Sequence, residues 1–262
     1  MLKIGLVQLS VIEGDIKRNC AHLRKLTEAY AKDDIDLLCF PELCISGYEF
    51  DSASRSKEEE KFFEALAKEY GIAIMAGINI YREGKFYDAA CLWDETGKLL
   101  GEFKKIHLWD KECDFFNKGT ELAVIPFKGW NIGLLICQDM RFFEVSTPLV
   151  NMGADVILYP SAWIKGWKEL FLLCARMRAA ENQVYVVALN RASGDVDYCG
   201  ATSVVDPYGN IVQGAMGDGE TYIRAVIRKD KIRETREKLE WESLKLPDIY
   251  EKYEQYRFRN AK

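Results

Sequence analysis

Four small or apolar residues, Gly133-Leu134-Leu135-Ile136, run into Cys137, and the chain turns polar at once in Gln138-Asp139-Met140-Arg141. An apolar run this short reads as a strand buried on both faces, so the sheet that holds it must be covered on both sides. A thiol at the end of such a strand meets the rim of the sheet. Free cysteines are also among the most buried residues, and packing is the alternative reading of Cys137.

The 262 residues leave room for about one or two domains, and large α/β sandwiches use this length for one. Hydrophobic residues at 48% and charged residues at 29% are ordinary for a soluble domain with a large core. A net charge of −5 argues against a nucleic-acid or anionic-membrane surface. No stretch approaches the ~20 consecutive apolar residues that span a bilayer. Met1–Leu9 reads as a buried strand rather than a secretory leader, so a cytoplasmic protein is expected.

The eight cysteines contain no C-x-x-C pair and sit mostly in apolar runs, which points to reduced core thiols rather than disulfides or zinc. The only histidines are His22 and His107, so a hydrolase on this chain is expected to use a base other than histidine. There is no P-loop and no dinucleotide fingerprint, and neither a cofactor nor a metal is expected.

Strand and helix patterns alternate along the chain. Asp15 can cap a helix to about Lys32 with Ile16, Cys20, Leu23, Leu26 and Tyr30 on one face. Strands are expected at 36–40, 72–81, 122–127, 131–137, 155–159, 184–190, 202–206, 211–213 and 222–227. Helices are expected at 56–70 and 167–182, and a hairpin at 86–103 turning at Asp94-Glu95-Thr96-Gly97. Asp36-Leu37-Leu38-Cys39-Phe40-Pro41-Glu42 and Asp155-Val156-Ile157-Leu158-Tyr159-Pro160-Ser161 share a pattern of acid, apolar strand, aromatic, proline and polar residue. Either chance or a two-fold repeat produces such an echo. Proline cannot continue a central ladder, so both strands are expected to end there at the rim.

Glu42, Lys105 and Cys137 all follow strand ends. An acid, an ammonium and a thiol there meet the needs of acyl transfer without histidine: a carboxylate base in a dry pocket, and a fixed positive donor for the oxyanion. Singly, Glu42 also reads as a turn carboxylate, and Lys104-Lys105 as a solvated pair.

Together the segments Pro41-Glu42-Leu43 with Ser46-Gly47-Tyr48, Lys105-Ile106-His107-Leu108, and Cys137-Gln138-Asp139-Met140-Arg141-Phe142-Phe143-Glu144 resemble the nitrilase superfamily of carbon–nitrogen hydrolases. The resemblance runs from Lys3 to about Ile227 and includes Arg178-Ala179-Ala180-Glu181-Asn182, Asn190 and Asp206-Pro207-Tyr208-Gly209. It implies one αββα-sandwich domain over residues 1–262 that dimerises across the helices after the nucleophile strand. It also implies a Glu-Lys-Cys triad of Glu42, Lys105 and Cys137. A second active-site glutamate is expected at Glu112, for which a surface loop acid is the alternative. Gln138 stands where an aromatic is usual, and Phe143 where proline is common.

The expected reaction is hydrolysis of a small aliphatic amide, with carboxylate-bearing ω-amides included, through a Cys137 thioester and with water as co-substrate. An N-carbamoyl amidohydrolase, then a nitrilase, are the alternatives, and a silent binding or assembly subunit is the non-enzyme reading. Tyr48, Gln138, Arg141 and Trp163 are candidate substrate-binding residues. Arg141 reads either as a partner for a substrate carboxylate or as one member of a structural ion pair with Asp139 and Glu144. Trp163 and Tyr48 read equally as core, and His107 as a hydrogen-bonded structural imidazole. The helix at 167–177 is apolar on more than one face. The tail from 229 to 262 is expected to pack on its own domain or across a homodimer.

Overall fold

A computed structural model describes residues 1–50 and 56–254. The first half runs β1 (Leu2–Gln8), α1 (Ile16–Tyr30), β2 (Leu37–Cys39), α2 (Ser56–Tyr70), β3 (Ala73–Arg82), β4 (Lys85–Trp93) and β5 (Leu99–Lys104). A four-residue helix, α3 (Glu112–Phe115), leads into β6 (Val124–Phe127), β7 (Trp130–Leu134), α4 (Phe143–Asn151) and β8 (Val156–Ser161). Then come α5 (Lys168–Asn182), β9 (Tyr185–Asn190), β10 (Ser203–Val205), β11 (Ile211–Gly214), β12 (Thr221–Ile227), α6 (Lys229–Leu239) and α7 (Pro247–Glu254).

Two six-stranded sheets result, in the orders β12-β1-β2-β3-β4-β5 and β11-β10-β9-β8-β7-β6. In the first, β1, β2 and β3 are parallel and β4 and β5 antiparallel; β7, β8 and β9, then β10 and β11, repeat that arrangement. β12 joins β1 antiparallel as β6 joins β7. The halves therefore share one topology, and the echoing segments fall on its equivalent strands, β2 and β8. Their leading acids do the same work. Asp36 Oδ2 accepts the Lys3 N–H at 2.9 Å while the Asp36 N–H donates to Lys3 O at 2.7 Å. Asp155 makes the matching pair with Asn131, both at 2.8 Å.

Strand alternation assigns the layers. Leu2, Ile4, Leu6, Leu37, Cys39, Ala73 and Met75 face inward and share one core with Ile132, Leu134, Val156 and Leu158 of the other sheet. Val7, Leu38, Ile74 and Ala76 face outward and pack with Leu23 and Leu26 of α1 and Phe63 and Leu66 of α2. Leu149 of α4 and Phe171, Ala175 and Ala179 of α5 are buried with the second sheet. The architecture is the expected αββα sandwich. Asp15 caps α1 by accepting the Arg18 N–H at 3.1 Å. Among the described residues, no helix is long and apolar enough to cross a membrane.

Two details at the rim differ from the sequence reading. β7 pairing stops at Leu134, so Cys137 lies beyond the strand on a 3-10 turn over Cys137–Arg141. Pro160 does not end its strand, because β8 continues through Ser161 and pairs Pro160 with Leu189 of β9. The proline is tolerated because its nitrogen, like the Leu158 carbonyl that accepts the Leu135 N–H, faces the side that β7 has already left. In the tail, α6 buries Ile232 and Thr235, whereas α7 buries nothing and Leu246, Ile249, Tyr250 and Tyr253 are exposed. Residues 255–262 lie outside the described residues.

β3 carries Gly77 where the loop after β2 crosses it. A Cβ there would lie 2.5 Å from the Glu42 Cα and 2.9 Å from the Pro41 carbonyl oxygen. Gly77→Ala is expected to destabilise the fold by about 1–3 kcal/mol through this backbone clash and to depress activity by displacing Glu42. Denaturant unfolding together with turnover checks both; a variant unchanged in both would show that the loop yields freely.

Candidate active site

β2 and β5 deliver their carboxyl ends to one rim of the sandwich, because β5 runs parallel to β3 after two antiparallel turns. The turn after β7 is tied to that rim through Asp139 and His107. Past β2, Glu42 is fully buried and its backbone is clamped from the other half of the molecule. Arg191, just after β9, donates from Nε to the Glu42 carbonyl at 2.8 Å and from Nη2 to the Leu43 carbonyl at 2.5 Å. Its remaining nitrogen, Nη1, meets Glu13 Oε1 at 2.9 Å and the Tyr198 hydroxyl at 3.1 Å. That clamp lets Leu43 hold a left-handed φ of 45°.

Past β5, the two lysines part. Lys104 stays at the surface, 3.6 Å from Glu102 and over the Tyr87 ring, whereas Lys105 is fully buried. Backbone bonds hold it there: its N–H donates to Asp88 O at 2.9 Å and its carbonyl accepts from Gly119 at 2.8 Å. The Lys105 Nζ lies 2.5 Å from Glu42 Oε1, 2.7 Å from Glu112 Oε1 and 3.2 Å from Asp88 Oδ2. Glu112 is buried too, with its second oxygen accepting the Trp109 N–H at 2.8 Å, so it is not a surface loop acid. The carboxylate oxygens of Glu42, Asp88 and Glu112 lie within 4.8 Å of one another, and the cation they surround is the lysine ammonium.

Cys137 holds a φ of 43°, a strained value for a residue with a Cβ. The turn is braced by Asp139, whose Oδ2 accepts the Ile136 N–H at 3.2 Å and whose Oδ1 accepts the His107 N–H at 2.9 Å. His107 Nδ1 also lies 2.7 Å from that oxygen, and its ring stacks on Phe142 with centroids 3.8 Å apart. His107 is thus a structural imidazole that ties the lysine segment to the cysteine turn. Asp139 turns inward to the Ile136 and His107 N–H groups and the imidazole, so the expected pairing of Arg141 with Asp139 does not form. The Arg141 guanidinium instead lies over Trp109, Trp163 and Trp167, 4.5 to 5.4 Å from the ring centroids.

A cavity of about 490 Å³ opens on these groups. Cys137 and Glu112 line it, as do the four residues expected to meet substrate, Tyr48, Gln138, Arg141 and Trp163. Arg141 Nε has no hydrogen-bond partner among the described residues. Burial disfavours the Glu42 anion, but the Lys105 ammonium and contacts with Asp88 and Cys137 hold its carboxyl below the usual range. Burial also opposes the Lys105 charge, and the carboxylates around it more than reverse that effect. Glu112 is pushed up by burial despite Lys105. The Cys137 thiol is pushed well up, by burial first and then by Glu42.

Three elements of the site were not singled out in the sequence. Asp88 carries the signal of a lone acid in the strand Tyr87-Asp88-Ala89-Ala90-Cys91-Leu92-Trp93. Arg191 directly follows Asn190, which was noted, but nothing local marks it as a clamp. Trp109 and Trp167 offer no signal, since the loop that brings them to Arg141 cannot be read from pattern.

Such a rim, with a buried ammonium between carboxylates beside a cavity that a thiol lines in an αββα sandwich, defines a class of hydrolase. The model of the carbon-nitrogen hydrolase family matches residues 3–237, and the chain belongs to that family. It is 31% identical over 278 residues to the omega-amidase Nit3 of Saccharomyces cerevisiae, covering 95% of this chain and 94% of that protein. It is 29% identical over 238 residues to an (R)-stereoselective amidase of Pseudomonas sp, covering 87% and 85%. The crystal structure of S. cerevisiae Nit3, a member of branch 10 of the nitrilase superfamily, superposes with a TM-score of 0.83 at 30% identity, covering 91% of this chain and 94% of that one.

With its pKa raised, Cys137 is expected to be a thiol at neutral pH rather than half of a standing ion pair. The ultraviolet thiolate band of the native protein at neutral pH should therefore be the same in wild type and Cys137→Ala. A band lost with Cys137 would contradict this.

Proposed function

We propose that the chain hydrolyses small aliphatic amides, including those with a carboxylate at the far end, to the acid and ammonia. The observation that carries this is the Lys105 ammonium bridging Glu42 and Glu112 beside a cavity that Cys137 also faces. The names of the amidase relatives support the same reading.

In this mechanism Glu42 accepts the thiol proton as Cys137 Sγ attacks the amide carbon. Lys105 and the Gln138 N–H, which has no partner within its own first helical turn, hold the oxyanion. Glu42 returns the proton to the nitrogen, the C–N bond breaks and ammonia leaves a thioester. Water oriented by Glu112 gives a proton to Glu42 and attacks. The C–S bond then breaks, the thiol regains its proton and the acid departs. A depressed Glu42 pKa keeps the base ionised across the neutral range, and a raised thiol pKa makes a base necessary.

Arg141 is the group for a distal carboxylate, since its planar fork lines the cavity among three indoles. One domain of residues 1–262 forms a homo-oligomer in this reading. Leu173 and Met177 project from α5 at 56% and 47% exposure. Eight unpaired cysteines fit a reducing cytoplasm.

A panel of short amides, ω-amides of dicarboxylic acids, N-carbamoyl amines and nitriles, scored for ammonia, tests the substrate class. Amides should lead; carbon dioxide released with the ammonia, or turnover of nitriles alone, would overturn it. Glu42→Gln should lower kcat by about 10²–10⁴-fold with binding retained. Arg141→Gln should raise KM for ω-amides by about 10–100-fold and leave neutral amides unchanged. Equal effects on both amide types would remove Arg141 from carboxylate recognition.

A further inference from the structure

Asp88 is the one member of the buried cluster to which the mechanism gives no part. Its side chain is fully buried in β4, opposite Asn79 of β3, and its backbone carbonyl receives the Lys105 N–H. The charged side chains that act on it are Lys105, Glu42 and Glu112. Three carboxylic groups thus share one ammonium, because the nearby Arg191 guanidinium is engaged by Glu13, Tyr198 and two backbone carbonyls. Ionising all three would leave two uncompensated charges out of contact with water, and carboxyls this close instead retain a proton.

Hydrogen bonding shows which acid keeps it. Glu42 and Glu112 take the short contacts with the ammonium, and Glu112 has a backbone N–H on its other oxygen. Asp88 has the longest contact, 3.2 Å, and neither of its oxygens has a hydrogen-bond partner among the described residues. Among the carboxylates of the cluster the remaining orphan is Glu42 Oε2, and Oδ1 of Asn79 across the strand pair is likewise without a partner among the described residues. A single proton on Asp88 completes both partnerships.

We propose that Asp88 is a neutral carboxylic acid that donates its O–H to Oε2 of Glu42, and that it serves as the positioning residue for the general base. Held by Lys105 on Oε1 and by Asp88 on Oε2, the Glu42 carboxylate cannot rotate and presents one fixed lone pair toward the thiol. The directions of titration agree: burial pushes Asp88 well above the usual carboxyl range, while Glu42 is held below it. The role, though not the proton's location, rests on the reading of Glu42 as the base.

Two measurements test this. Difference infrared spectra of substrate-free protein at neutral pH should show a protonated-carboxyl stretch that is absent from Asp88→Asn and present in Glu112→Gln. In kinetics, Asp88→Asn, whose amide N–H can replace the O–H donor, should keep kcat within about threefold of wild type. Asp88→Leu, with no donor, should lose about 100-fold in kcat with KM little changed. A stretch that persists in Asp88→Asn would place the proton elsewhere and overturn the proposal. So would an Asn variant as slow as the Leu variant. The infrared band is read without turnover, so it decides the proton's place even if Glu42 proves not to be the base.

Discussion

The Lys105 ammonium sits where water cannot reach it, and the rest of the rim is arranged to make that tolerable. A buried cation without partners costs several kcal/mol, and here three acids from separate parts of the chain converge on it. Glu42 comes from the loop after β2, Asp88 from β4 and Glu112 from α3. Each is held by backbone bonds before its side chain meets the lysine. Geometry of this kind needs little reorganisation when charge moves, which is the condition for stabilising an oxyanion in a dry pocket.

The two halves of the sandwich supply different parts of that condition. The first gives the acids and the ammonium; the second gives the thiol, its brace and the clamp on Glu42. Arg191 reaches across from β9 to the carbonyls of Glu42 and Leu43, and His107 reaches from the lysine segment to Asp139. The halves are thus locked together at the points where the proposed chemistry requires them to be in register. The Asp36 and Asp155 backbone bonds, repeated at equivalent strands, show that the shared topology is built from the same local device twice.

Much of this was legible from the chain. Buried strands show as apolar runs, and the acids, prolines and glycines that punctuate them mark the strand ends, so Glu42, Lys105 and Cys137 could be named together. Glu112 followed from the resemblance and not from its charged surroundings, which give no hint of burial. Pro160 misled because its effect depends on which neighbouring strand faces its nitrogen, a tertiary fact. Asp88, Arg191 and the indoles around Arg141 were out of reach for the same reason. Their roles come from partners 17 to 149 positions distant, whose approach no local pattern records.

The central claim is that Cys137 carries the acyl group between two steps that share Glu42 as proton carrier. Rapid acid quench of the enzyme mixed with an amide, followed by peptide mass mapping and ammonia assay, tests it most directly. The account predicts an initial release of about one ammonia per site, matched by the acyl mass on the peptide that contains Cys137. Ammonia release at the wild-type rate by Cys137→Ala, or the acyl mass on a different residue, would contradict it.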